Sequence, residues 1–146
     1  MKNIPVLFLF FILIITGCGG GPQTINVNLH CDENCNNNNA VVIKIYQLKN
    51  AEKFRHANFE SLVRNPDELL ADDLIPNSKL EKLLVPDETY DFNNLEIKND
   101  ASFIAVIGDF HSPSSDGWKQ LIPINSDLKK LKVKISENSL SVDVED

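Results

Sequence analysis

The side chains best able to do chemistry gather in one short stretch, His30-Cys31-Asp32-Glu33-Asn34-Cys35. Two thiols four positions apart, with an imidazole and two carboxylates beside them, could hold a soft metal. Structural zinc sites, however, usually draw four ligands from two separated knuckles, and the chain has no second Cys/His group. The same pair could form a disulfide, because residues at this separation can bring their Cα atoms within the roughly 4.4 to 6.8 Å that the bond needs. Two free thiols are the third outcome. A second concentration of reactive types is Asp109-Phe110-His111-Ser112, with an acid, a base and a hydroxyl in succession. Neighbours along a strand or loop point in different directions, so this adjacency is not triad geometry, and no nucleophile-elbow glycine pattern surrounds any serine. Asp72-Asp73 and Asp87-Glu88 sit among turn formers and read as solvated acids, and there is no phosphate-binding glycine loop. Trp118 follows Ser114-Ser115-Asp116-Gly117 and has a face on which a sugar could stack. A lone tryptophan at a strand start more often belongs to the core or the sheet rim.

A more specific arrangement lies at the N-terminus. Lys2 precedes Ile4 to Ile15, a run without a polar side-chain atom, and the run ends in Ile15-Thr16-Gly17-Cys18. The run is short of the roughly 18 to 20 residues a transmembrane helix needs, and the chain after it is polar, so it has the profile of a signal peptide. The triplet before Cys18 resembles the bacterial lipobox, whose cysteine is linked to diacylglycerol before the leader is cut away. On this reading residues 1–17 are a cleaved signal, Cys18 is the acylated N-terminus, residues 18–23 are a flexible tether and residues 24–146 form one domain. An ordinary secretory signal with a chance cysteine is the blander alternative. Each buried methylene contributes about 0.8 kcal/mol, so two or more acyl chains anchor stably. In lipoproteins of this kind an aspartate after the cysteine favours retention in the inner membrane. Gly19 stands there instead, implying the outer membrane and its periplasmic side. In that oxidising compartment a Cys31–Cys35 disulfide is favoured over a metal site; closing so small a ring would stabilise by about 2 kcal/mol and mainly stiffen the loop itself.

The whole composition agrees. A chain of 146 residues with a net charge of -7, 42% hydrophobic and 24% charged, has room for one ordinary domain. With 21 acidic against 14 basic side chains it is a poor ligand for nucleic acid, which needs clustered Lys and Arg. Charge alone would not hold it to anionic lipid either.

The elements that must position these residues are mostly strands. Ile25, Val27 and Leu29 alternate with polar residues from Thr24 to His30, and Val41 to Leu48 reads as a second strand. Between them, Cys31 to Ala40 has a composition that disfavours both helix and strand. Phe54, Ala57, Phe59, Leu62 and Val63 are spaced for an amphipathic helix or two short ones, with Asn58 as a cap and Pro66 closing the region. A strand is expected at about Ser78 to Val85. The alternation from Tyr90 to Ile97 slips at Asn93-Asn94, which suggests a bulge. The apolar run Ser102 to Phe110 should be a central strand. Trp118 to Ile124, Leu128 to Ser136 and Ser139 to Val144 follow, the last two joined by a tight turn at Glu137-Asn138. Seven or eight short strands with one helical excursion indicate an all-β, two-sheet sandwich.

Several of these segments together resemble the TssJ family of type VI secretion lipoproteins. They are the leader with its Cys18, the strand Val41-Val42-Ile43-Lys44-Ile45-Tyr46-Gln47-Leu48, the helical Phe54 with Ala57 to Leu62, and the strand Phe103 to Phe110 followed by Trp118. His111 stands where that family is expected to carry arginine, and the Cys31/Cys35 pair is not a general family feature. The resemblance implies a transthyretin-like β-sandwich with a helical insertion after the second strand, without catalysis, cofactor or small-molecule substrate. It also implies binding to the periplasmic domain of TssM, with TssL in the same complex, through the loop between the first two strands. Here that loop is Cys31 to Ala40, making Asp32, Glu33, Asn34, Asn36, Asn37, Asn38 and Asn39 the candidate partner-binding residues. The competing class is a free-standing periplasmic lipoprotein that binds glycan or metal on a similar sandwich.

Overall fold

The computed structural model describes residues 19–146; the leader (1–17) and Cys18 lie outside the described residues. Eight strands form the body: β1 (Thr24–Cys31), β2 (Val41–Leu48), β3 (Leu80–Leu84), β4 (Thr89–Glu96), β5 (Phe103–Asp109), β6 (Lys119–Pro123), β7 (Lys130–Ile135) and β8 (Leu140–Glu145). They make two four-stranded sheets, β4-β1-β7-β8 and β3-β2-β5-β6. All pairs are antiparallel except β1 with β7. The alternation in β1 is therefore physical: Ile25, Val27, Leu29 and Cys31 are buried between the sheets, while Thr24, Asn26 and His30 face solvent.

The expected bulge sits in β4. Ile25 pairs with Leu95 but Val27 pairs with Phe92, so Asn93 and Asn94 are accommodated opposite Asn26. Asn94 adopts φ 55°, and its N–H donates to Asn26 Oδ1 (2.9 Å). In the other sheet β2 and β5 are the central pair, which explains why both read as nearly continuous apolar runs. Gln47 lies on the inner face of β2 at 1% exposure. Its amide donates to Glu96 O (2.9 Å) and its carbonyl accepts from Lys98 N–H (2.8 Å), so it fastens one sheet to the other. The alternate residues Tyr46 and Leu48 point outwards yet are fully buried, because the helical excursion covers them.

That excursion consists of α2 (Glu52–His56), α3 (Phe59–Arg64), α4 (Pro66–Leu70) and a 3-10 turn, Ala71–Asp73; α1 is the four-residue turn Cys35–Asn38 in the loop after β1. Asn58 caps α3 as expected, its Oδ1 accepting from Ser61 N–H (2.9 Å). Pro66 does not close the region. It occupies the first turn of α4, where its missing N–H has no partner to lose, and the helical segment continues past it. Lys44 Nζ on the outer face of β2 donates to Val63 O (3.0 Å), which pins α3 over the sheet. The Tyr46 hydroxyl under this cover has no hydrogen-bond partner among the described residues. Burial, and secondarily the carboxylates of Glu81, Asp67 and Asp109, push its pKa well above the ordinary 10.0.

Candidate functional site

The strand order puts four connections at one end of the sandwich: β1–β2 (32–40), β3–β4 (85–88), β5–β6 (110–118) and β7–β8 (136–139). The chain enters at the opposite end. Gly19, Gly20 and Gly21 are exposed, with open space around each α-carbon. Gln23 fastens this end to the body, its side-chain amide donating to Asn125 O (2.8 Å) and its backbone carbonyl accepting from Ile97 N–H (2.8 Å). The eight residues of β1 thus span roughly 25 Å from the Gln23 end to the loop pole.

At that pole the β1–β2 loop is built rather than slack. Cys31 and Cys35 are joined by a disulfide, with Cα atoms 5.6 Å apart and both residues fully buried. The bond takes both sulfurs out of any metal site. His30 and Asp32 turn to each other (3.5 Å), and His30 Nδ1 lies 2.9 Å from Thr89 Oγ1. Asp32 also reaches Lys134 Nζ (3.4 Å) and accepts from Ser136 Oγ (3.2 Å), so it is half-buried and largely committed within the protein.

After the disulfide the backbone turns left-handed for three residues: Asn36, Asn37 and Asn38 have φ of 47°, 54° and 62°. This conformation is costly for L-residues other than glycine, and asparagine is among the few that adopt it readily. The loop is then hydrogen-bonded into its neighbours. Asp32 N–H donates to Ile135 O, Asn36 N–H to Ser136 O and Asn37 N–H to Glu137 O, at 2.9, 3.1 and 3.2 Å. Ser114 N–H donates to Asn138 O (2.9 Å), joining the β5–β6 loop to the same assembly.

Of the candidate contact residues, Glu33, Asn34, Asn37, Asn38 and Asn39 are exposed on this pole. Asn36 is not. It is only 3% exposed, its Nδ2 donating to Ala40 O (2.6 Å) and its Oδ1 accepting from His111 N–H (2.7 Å). Its expected place among the surface contacts is therefore corrected to a position inside the loop. Asn39 is exposed but ties back, donating from Nδ2 to Asn37 O (2.8 Å) and Asn36 O (3.1 Å). Beside the loop lies an open depression of about 490 Å³ lined by Asn36, Asn39, Ala40, Asp109, Phe110 and His111.

The other chemical candidates resolve structurally. Phe110 is buried, Asp109 is half-buried and His111 and Ser112 are exposed, and no hydrogen bond joins the three polar residues among the described residues. Trp118 is 4% exposed and packs edge-on against Phe59 at 5.2 Å between centroids, which leaves no open face for a sugar. At the β3–β4 turn the Val85 N–H bonded to Glu88, then Lys82 beside it (3.1 Å), hold the Glu88 carboxyl below the ordinary 4.5. A residue that sequence reasoning missed is Lys119. Its ammonium donates to Phe54 O, Arg55 O and Ala57 O (2.7, 3.1 and 2.9 Å), terminating α2 and clamping the excursion to β6. Burial lowers its pKa, with Asp116 opposing the shift.

A family model described as type VI secretion lipoprotein, VasD, EvfM, TssJ, matches residues 23–145. No curated protein matches the chain in sequence. Among solved structures, the T6SS lipoprotein TssJ1 from Pseudomonas aeruginosa superposes with a TM-score of 0.77 at 17% identity, covering 86% of this chain and 98% of that one. A chain of a type VI membrane complex gives 0.70 at 22% identity over 84% and 98%. A chain from the structure of the T6SS protein TssM C-terminal domain (869–1107) from EAEC gives 0.68 at 24% identity over 82% and 99%. At such identities the likeness is one of fold.

Proposed function

This chain belongs to the TssJ family of type VI secretion lipoproteins, and from that premise we propose that it ties the periplasmic domain of TssM to the outer membrane. Acyl chains on Cys18, exposed once residues 1–17 are removed, hold one end in the bilayer; residues 18–23 act as the tether; and the β1–β2 loop of the domain 24–146 holds TssM, with TssL reached through the same complex. The family is a structural component of the secretion machine, and the role needs no chemistry beyond attachment.

The observation that carries this reading is polarity: the tether and the loop lie at opposite ends of β1, so the body can bridge a membrane and a partner without either blocking the other. The same fold recurs in a chain from the structure named for the TssM C-terminal domain and in a chain of a type VI membrane complex. The glycan or metal alternative loses support from the buried Trp118 and from the Cys31–Cys35 bond.

Cys18→Ala should remove the protein from the outer-membrane fraction and abolish secretion; normal secretion by that variant would contradict the anchor. Replacing residues 32–39 with a Gly-Ser linker should weaken TssM binding in calorimetry, and unchanged affinity would move the interface elsewhere.

A further inference from the structure

Building on that reading of the loop as the docking element, and dependent on it, we infer that Asn36 is the residue that sets the docking surface without touching the partner. It joins three of the four connections at the pole. Its backbone N–H reaches Ser136 in the β7–β8 turn, its Oδ1 takes the His111 N–H of the β5–β6 loop, and its Nδ2 closes its own loop onto Ala40. Its carbonyl accepts from both the backbone N–H (3.2 Å) and the side-chain Nδ2 (3.1 Å) of Asn39. No other residue of the loop combines burial, a left-handed backbone and two side-chain bonds to different segments. The exposed Asn34, Asn37 and Asn38 are thus held at fixed positions around a buried amide, and the segment His111 to Asp116 and the turn Glu137-Asn138 are brought into one surface with them.

The amide uses one donor and one acceptor on opposite sides, which makes the site selective for side-chain chemistry. Asn36→Gly keeps access to the left-handed backbone but deletes both bridges. Asn36→Asp keeps the acceptor for His111 N–H and, when ionised, opposes Ala40 O with a second acceptor; when protonated, it restores a donor there. A carboxyl so enclosed has a raised pKa. The charged or titratable neighbours are Asp32 on its own loop, Asp109 and His111 on β5 and its outgoing loop, and Glu137 on the β7–β8 turn. They are common to wild type and variant, so the ratio of the two affinities isolates position 36.

The test uses the full chain in detergent and the TssM periplasmic domain in calorimetry, with thermal unfolding to establish that each variant is folded. Asn36→Gly should bind roughly tenfold more weakly at neutral pH. The wild-type to Asn36→Asp affinity ratio should be largest at about pH 7.5 and fall towards one near pH 5. Equal affinity of Asn36→Gly and wild type, or a ratio independent of pH, would overturn this inference while leaving the docking reading intact. Should wild type itself fail to bind, or the 32–39 replacement bind as well as wild type, the docking reading would fall and this inference with it.

Discussion

Asparagines 36 to 39 are identical letters in the sequence, yet they do different work. Asn36 is a buried bridge, Asn37 and Asn38 supply left-handed backbone with free side chains, and Asn39 caps the turn from outside. Composition disfavoured helix and strand here, and the loop holds only the four-residue turn α1, left-handed at Asn36 and Asn37; positive-φ tolerance is a signal four asparagines in a row do carry. Which of the four is buried was not legible, because the neighbouring loops that bury it come from residues about 75 and 100 positions later, as His111 and Ser136 show. If geometry rather than contact fixes Asn37 and Asn38, replacing both with glycine should leave unfolding stability within about 0.5 kcal/mol, whereas replacing both with alanine should cost about 2 kcal/mol. Urea denaturation of the two double variants checks this; equal losses would mean that the left-handed turn is not what these residues provide.

Among the elements, the strands were readable because each sheet buries one face and so imposes a period of two, even to the slip at Asn93-Asn94. The strand Ser102 to Phe110 was readable for the opposite reason: β5 is covered on both faces, once by the facing sheet and once by the helices. The seating of those helices was not readable. Phe54, Leu62 and Leu70 announce an apolar face, but what holds it against the sheet is a lysine at a strand start, indistinguishable in sequence from a surface cation. Pro66 likewise reads as a terminator and is in fact an opener. Lys119→Met retains the apolar stem beside Phe54 and Trp118 but removes the ammonium donor from Arg55 O and Ala57 O and leaves Phe54 O with the Ala57 N–H alone. It should lower stability by about 2 kcal/mol in urea denaturation and change Trp118 fluorescence in the folded state. A neutral effect on both would show that α2 is seated by apolar packing alone.

For the molecule as a whole, the two ends of the proposed connector are visible separately in the sequence: a lipobox-like cysteine, and a polar loop between the first two strands. Only the topology shows that β1 runs from the end where residues 19–23 enter to the loop, and that three further connections join the loop at its pole. On the proposed reading the acyl chains of Cys18 attach the chain to the bilayer and the loop pole attaches it to the partner, so the acidic balance is given no role in either attachment. The central claim is that one molecule holds membrane and TssM at the same time. The direct measurement is co-flotation: liposomes carrying the acylated full chain are mixed with the soluble TssM periplasmic domain and floated through a density gradient. The account predicts that TssM rises with the liposomes, and that it stays at the bottom when the chain carries either Cys18→Ala or the 32–39 linker replacement. TssM that floats equally well with the loop-replaced protein, or that remains at the bottom with the intact one, would contradict it.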